Sequence, residues 1–231
     1  MRGLFVTGTD TGVGKTILAG AIAATLAARG DRVSVFKPVL TGLADPSDQL
    51  PDHDRLRLSA RSRQRPQEIA PYRFNPPVSP HLAADTAGVR VKPNILVACA
   101  TRAASSGDVL IAEGVGGLMV PLSEGYLVRD LAIQLGLPLL VVARPGLGTI
   151  SHTLMTLECA RSVGLEVAAV VLSPWPEEPG AIERSNRETI ARSGAVEVET
   201  LPRVDVSGPI GPREDLPVER WLAAPASVRA A

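Results

Sequence analysis

The chain has 231 residues, 24 basic and 24 acidic side chains, and 45% hydrophobic residues, enough for one α/β domain with a substantial core. A formal net charge of zero and an aromatic content of only 3% argue against nucleic acid or an anionic membrane surface as the partner. The apolar run at 135–143 is far too short to span a bilayer, and the first strand starts almost at Met1, so a cytoplasmic protein without a leader is expected.

A strand is predicted at 4–7. It runs into Gly8-Thr9-Asp10-Thr11-Gly12-Val13-Gly14-Lys15-Thr16 and then into an Ala-rich helix over 15–28. A glycine-rich turn between strand and helix presents backbone N–H groups to phosphate oxygens. Lys15 then reaches the β and γ phosphates, and the Thr16 hydroxyl ligates Mg²⁺. The common spacing would place glycine at position 9, where this chain has Thr9, so the loop is a variant. The competing reading is a Gly-rich turn without a ligand, but Gly-Lys-Thr in this context favours a nucleoside triphosphate. Partitioning ATPases of the ParA and MinD type carry a second lysine where this chain has Asp10, which argues against a switch of that kind.

The next strand, 33–37, ends in Lys37 and is followed by Pro38. Lysine is scarce here, three residues against 21 arginines. It is expected where a compact ammonium must approach a phosphate or carboxylate end-on. The third, Lys92, reads as an ordinary surface residue. Residues 43–93 form a polar, Arg- and Pro-rich excursion near the nucleotide edge, with a short helix near 54–61. Its Asp52-His53-Asp54 run is either a helix N-terminal cap or a source of metal ligands.

After a helix at 95–105, the strand 109–113 ends in Glu113 and the loop Gly114-Val115-Gly116-Gly117. A carboxylate at a strand's carboxyl end beside a phosphate loop can hold Mg²⁺; the alternative is a solvent-facing strand end. The pattern continues as helix 127–135, strand 139–143, helix 150–163, strand 167–172, helix 180–192 and strand 196–201. These strands are nearly continuous in Val, Ile and Leu, as strands covered on both faces are. The expected fold is α/β: a doubly wound, mostly parallel sheet flanked by helices on both faces, of P-loop NTPase type. One domain spans 1–231, with a loosely ordered tail from 217. Cys99 and Cys159 are read as small buried hydrophobes.

Read together, the phosphate loop, Lys37-Pro38-Val39-Leu40-Thr41-Gly42, Asp54, Ser79-Pro80-His81, Glu113-Gly114-Val115-Gly116-Gly117 and Leu147-Gly148-Thr149-Ile150-Ser151-His152 resemble the dethiobiotin synthetase family. The likeness runs from about residue 3 to about residue 205. It implies a ligase that joins 7,8-diaminopelargonate and CO₂ with MgATP, giving dethiobiotin, ADP and phosphate. By resemblance Lys37, Lys15 and Thr11 are catalytic. Gly12, Val13, Gly14, Lys15, Thr16 and Ile17 cradle the nucleotide, as do Gly114, Val115, Gly116, Pro202, Arg203 and Val204. Thr16, Asp54 and Glu113 hold Mg²⁺, and Thr41, Ser79, Gly148, Ser151 and Asn186 contact substrate. The resemblance also implies a homodimer with the substrate site at the subunit interface.

The chain departs from that pattern in three places. Ser151 stands where family members often have asparagine, and Gly12 replaces an acidic residue of some relatives. The run Ser173-Pro174-Trp175-Pro176 lacks the asparagine that many members use to read adenine. Poor discrimination follows, with CTP or GTP expected to serve nearly as well as ATP. A related amide-forming ligase is the main alternative, although 231 residues leave no room for the glutaminase domain such enzymes usually carry.

Overall fold

The computed structural model describes residues 1–44 and 50–224. Its elements in chain order are β1 (Gly3–Gly8), α1 (Lys15–Ala28), β2 (Val33–Phe36), β3 (Val39–Leu40), α2 (Asp52–Ser59), α3 (Pro66–Ile69), β4 (Tyr72–Arg73), α4 (Pro80–Thr86), α5 (Pro93–Ser106) and β5 (Val109–Glu113). There follow β6 (Pro121–Ser123), β7 (Tyr126–Leu127), α6 (Val128–Leu135), β8 (Leu139–Ala143), α7 (Thr149–Arg161), β9 (Val167–Trp175), α8 (Ala181–Gly194), β10 (Val198–Pro202) and α9 (Val218–Leu222). The six predicted strands assemble into one sheet in the order β10-β9-β8-β1-β5-β2, and every pairing in it is parallel. This is the doubly wound P-loop architecture expected from the sequence.

Alternate strand residues point to opposite faces, and the core divides accordingly. Leu4, Val6, Val35, Ile111, Leu140 and Val171 meet Leu18 and Ile22 of α1 together with Leu56 and Trp221. Phe5, Phe36, Leu110 and Leu139 face the other way, toward Leu96 and Ala100 of α5 and Leu131 of α6. Val141, Val170 and Leu172 pack on Leu157 of α7 and Ile190 of α8. Because α1 is surrounded, its Leu18–Leu26 stretch is buried all round, as expected for a helix apolar on every side.

The register places the functional strand ends side by side. Val6 of β1 lies opposite Glu113 of β5, and Gly8 opposite Val142 of β8. Gly8 itself admits no side chain, since a Cβ there would come within 2.8 Å of the Val13 side chain and 2.9 Å of the Asp10 carbonyl.

The region expected to be a polar excursion with one helix carries more structure than that. β3 and β4 pair in parallel, and α3 and α4 flank them. These elements are too short to show a hydrophobic period. Cys99 and Cys159 are free but only half-buried, lying against the edge of the core instead of within it. The tail expected from 217 is ordered over α9. Trp221, 1% exposed, closes the core beside α1, whereas 225–231 lie outside the described residues. Replacing Trp221 with alanine should destabilise the fold by ~3–5 kcal/mol in urea-unfolding experiments.

Candidate active site

Sequence and sheet order together build the phosphate loop. The Thr9 N–H donates to the Val142 carbonyl at 2.9 Å, pinning the loop to β8. Gly14 begins α1 with φ near 100°, a conformation that costs glycine nothing. Lys15 folds back so that Nζ donates to the Asp10 carbonyl at 2.8 Å. Burial lowers its pKa, partly offset by the Glu113 charge. The Asp10 carboxylate is taken by Arg144 at 2.5 Å, on the loop after β8.

The chemical centre is a charge cluster at the carboxyl ends of β2 and β5. Lys37 Nζ lies 2.6 Å from Glu113 Oε1 and 2.6 Å from Asp52 Oδ2. The Thr16 hydroxyl donates to Glu113 Oε1 at 2.8 Å. Lys37 is 5% and Glu113 1% exposed. Burial works against the Lys37 charge, but the Asp52 and Glu113 carboxylates outweigh it and raise the pKa. The ammonium therefore stays protonated throughout the physiological range. Burial pushes the Glu113 carboxyl up, and Lys37 opposes that shift. Asp52 is held below the usual carboxylate range: burial raises it, and Lys37 and Thr16 overcome that effect.

Glu113 Oε2 is buried with no hydrogen-bond partner, an expensive arrangement unless a further group binds there. A hard cation wants such an oxygen. No set of three or more His, Cys, Asp or Glu among the described residues could hold a metal unaided. Thr16, Glu113 and Asp52 therefore fit Mg²⁺ that draws its remaining oxygens from nucleotide phosphates and water.

Asp54, the metal ligand expected from the sequence, sits elsewhere. Its carboxylate accepts from the Arg57 guanidinium at 3.3 Å, with His53 Nε2 3.8 Å away. Helix α2 starts at Asp52, with Pro51 as its N-cap, two residues before the predicted start. Residues two apart on a helix face in different directions, so only Asp52 meets Lys37. An acidic residue directly after a proline was the signal available for it.

A cleft of about 750 Å³ opens above this cluster. It brings together most of the expected site: Thr11, Gly12, Gly14, Lys15, Thr16, Ile17, Lys37, Thr41, Ser79, Glu113, Val115 and Gly116. It also holds Asp52, which the sequence offered only as part of the Asp52–Asp54 run, and Leu50, Arg55 and Val206, for which the sequence carries no signal. Val13 is buried beneath the loop. Gly114 is squeezed between Val128 and Phe5, where a Cβ would meet atoms at 3.0 and 3.1 Å. Pro202 pairs with Trp175, Val204 packs against the α1 core and Arg203 is exposed, all outside the cleft lining. Gly148 and Ser151 are exposed at the start of α7. The Asn186 amide donates to the Pro145 and Gly146 carbonyls at 2.8 and 3.1 Å, bracing the loop that leads to Gly148. At the position expected from the resemblance to read the base, Ser173 is buried, and its hydroxyl lies 2.8 Å from where a Gly14 Cβ would stand.

A family profile described as an AAA domain matches residues 2–209. The ATP-dependent dethiobiotin synthetase of Bacillus subtilis (strain 168) is 39% identical over 194 residues, covering 83% of each chain. That of Anaeromyxobacter sp. (strain Fw109-5) is 40% identical over 203 residues, covering 83% of this chain and 89% of the relative. The chain belongs to the ATP-dependent dethiobiotin synthetase family. Solved structures similar to this family member include a ParA family ATPase from Chlorobium tepidum TLS, with TM-score 0.53, 15% identity and coverage of 97% and 91%. A MinC:MinD cell division complex from Aquifex aeolicus gives 0.54, 14%, and 88% and 82%. At such identity the likeness is one of fold alone. For this dethiobiotin synthetase family member, Asp52→Asn should lower kcat/KM about a hundredfold, the order expected for a lost charged group at the reacting centre. Asp54→Asn should change it less than about threefold; steady-state kinetics on both variants checks this.

Proposed function

We propose that the chain is a cytoplasmic dethiobiotin synthetase acting in biotin biosynthesis. It couples 7,8-diaminopelargonate, CO₂ and MgATP to give dethiobiotin, ADP and phosphate. The observation that carries this reading, beside family membership, is the Lys37 ammonium 2.6 Å from two carboxylates, in the cleft that also holds Lys15 and Thr16 of the phosphate loop.

In the reaction, one substrate amine adds to CO₂ and loses a proton, forming a carbamate. A carbamate oxygen attacks the γ-phosphorus, and ADP departs. The second amine then attacks the carbonyl carbon, closing the ureido ring as phosphate leaves and the amine proton is lost. No enzyme nucleophile is needed; the protein positions the reactants and stabilises negative charge. Lys15 and Lys37 are the fixed ammonium groups of the cleft, with the Thr11 hydroxyl at the rim of the phosphate loop. Lys37, held protonated by its carboxylate neighbours, acts through charge and hydrogen bonding, not as a base. Thr16, Glu113 and Asp52 would hold Mg²⁺, which neutralises charge on the β and γ phosphates when bound. Thr41 and Ser79 line the side of the cleft assigned to the diamine.

Gly148 and Ser151 serve the substrate from the partner subunit in this proposal. Support comes from the large apolar side chains exposed near them: Leu147 is 95% exposed, and Met119 and Met155 are also exposed. Such exposure marks association surfaces. Asn186 acts indirectly by bracing the Pro145–Gly146 loop.

Phosphate release from MgATP and bicarbonate, with mass detection of dethiobiotin, should depend strongly on the diamine. Basal hydrolysis indifferent to the diamine would refute the assignment. Lys37→Ala should lower turnover by roughly two to three orders of magnitude. With no amide at 173–176 to read the base, kcat/KM for CTP or GTP should approach that for ATP. A fifty-fold or greater preference for ATP would overturn that expectation.

A further inference from the structure

Arg55 sits on α2, one turn beyond Asp52, and is 3% exposed. Among the described residues its hydrogen bonds all go to backbone carbonyls. One terminal nitrogen donates to Val206 at 2.7 Å and Gly208 at 2.5 Å, and the other to Leu50 at 3.5 Å. Burying a guanidinium is costly. The Asp52 and Asp205 carboxylates offset part of that cost through their charge, but the use of Arg55 as a clasp between a helix and a loop calls for an explanation.

The position of the clasped segment supplies one. The loop leaves the carboxyl end of β10, the sheet edge at which doubly wound proteins bind ligands. Arg55, Leu50, Asp52 and Val206 all line the active-site cleft. A triphosphate seated on Lys15 and Thr16 carries its nucleoside along this lining, which Val206 reaches from the loop after β10. Behind the clasp the same loop has a second anchor: the Ile210 N–H donates to Ser59 Oγ at 2.8 Å, and Ile210 is part of the core. Arg55 therefore fixes the earlier part of the loop, including Val206, which faces the cleft.

We infer that Arg55 is a positioning residue for the nucleotide. By clasping the Val206 and Gly208 carbonyls to α2, it fixes the 205–208 loop, which reaches the cleft through Val206, as the wall against which the nucleoside rests. That wall is thereby tied to the helix that carries Asp52. In a chain without a base-reading amide at 173–176, this wall supplies nucleotide affinity by shape and not by reading the edges of the base.

The inference rests on the nucleotide-binding reading of the cleft but not on the identity of the product. Its test is therefore a binding measurement. MgADP and magnesium pyrophosphate are titrated calorimetrically into the whole protein, wild type and Arg55→Gln, with a thermal melt of each. The neutral amide can still reach one carbonyl, and Ser59–Ile210 remains, so the variant should melt within a few degrees of wild type. MgADP should bind ~10–30-fold more weakly to the variant, the scale of lost hydrogen bonds from a charged donor. Pyrophosphate, which has no nucleoside, should change less than about twofold. Arg55→Lys should recover part of the MgADP affinity by reaching one carbonyl. Equal weakening of both ligands would mean that Arg55 acts through its charge on the phosphates and would overturn the inference. So would unchanged MgADP affinity, or a wild type that does not bind MgADP. If wild type binds MgADP but forms no dethiobiotin, the functional assignment falls and the role of Arg55 is still decided by the titration.

Discussion

A buried lysine held between two carboxylates organises this molecule. Lys37 and Glu113 are both withdrawn from water, and Lys37 Nζ reaches Glu113 and Asp52 at the same 2.6 Å. Desolvating such charges costs several kcal/mol per ion unless geometry and further hydrogen bonds repay it. Here part of the carboxylate capacity is left unmet, for Glu113 Oε2 has no partner. A stability-driven core would not keep that oxygen orphaned; a site that must receive a cation and a polyphosphate would.

The parallel sheet makes the cluster possible. Parallel register sets the carboxyl ends of β1, β5 and β2 next to one another, so the phosphate loop, Glu113 and Lys37 converge although they lie far apart in sequence. All three strands are buried, and their side chains alternate between the α1 face and the α5–α6 face. The strand ends are therefore fixed by packing on both sides. The loops that follow them inherit that rigidity, which a site acting by positioning requires.

The architecture is shared with ATPases of the ParA and MinD type, yet the chemistry differs at identifiable points. Asp10 is held by Arg144 across the loop, at the position where the sequence pattern of such a switch leads one to expect lysine. Lys37 sits in the cleft instead, at a strand end, where the proposed reaction would use its charge. Fold likeness at 14–15% identity says nothing of function; the placement of a few charged groups does.

The sequence by itself determined the doubly wound sheet, because continuous apolar runs alternating with helical segments have few other solutions. It also determined the phosphate loop with Lys15 and Thr16, and the strand-end positions of Lys37 and Glu113, since local order alone puts those residues at carboxyl ends. What only the tertiary structure decided is which neighbours complete the site. Asp52 and Asp54 are equivalent in composition, but a helix turns about 200° over two residues, and the start of α2 at Asp52 turns Asp54 to Arg57. The clasp between Arg55 and Val206 joins residues 151 positions apart, with no periodicity to announce it. The short strands β3 and β4 and the helix α9 likewise take their form from the core they cover, with Trp221 as its lid. Local sequence fixes where a side chain lies along its own element; the phase of that element against the rest of the fold fixes what the side chain touches.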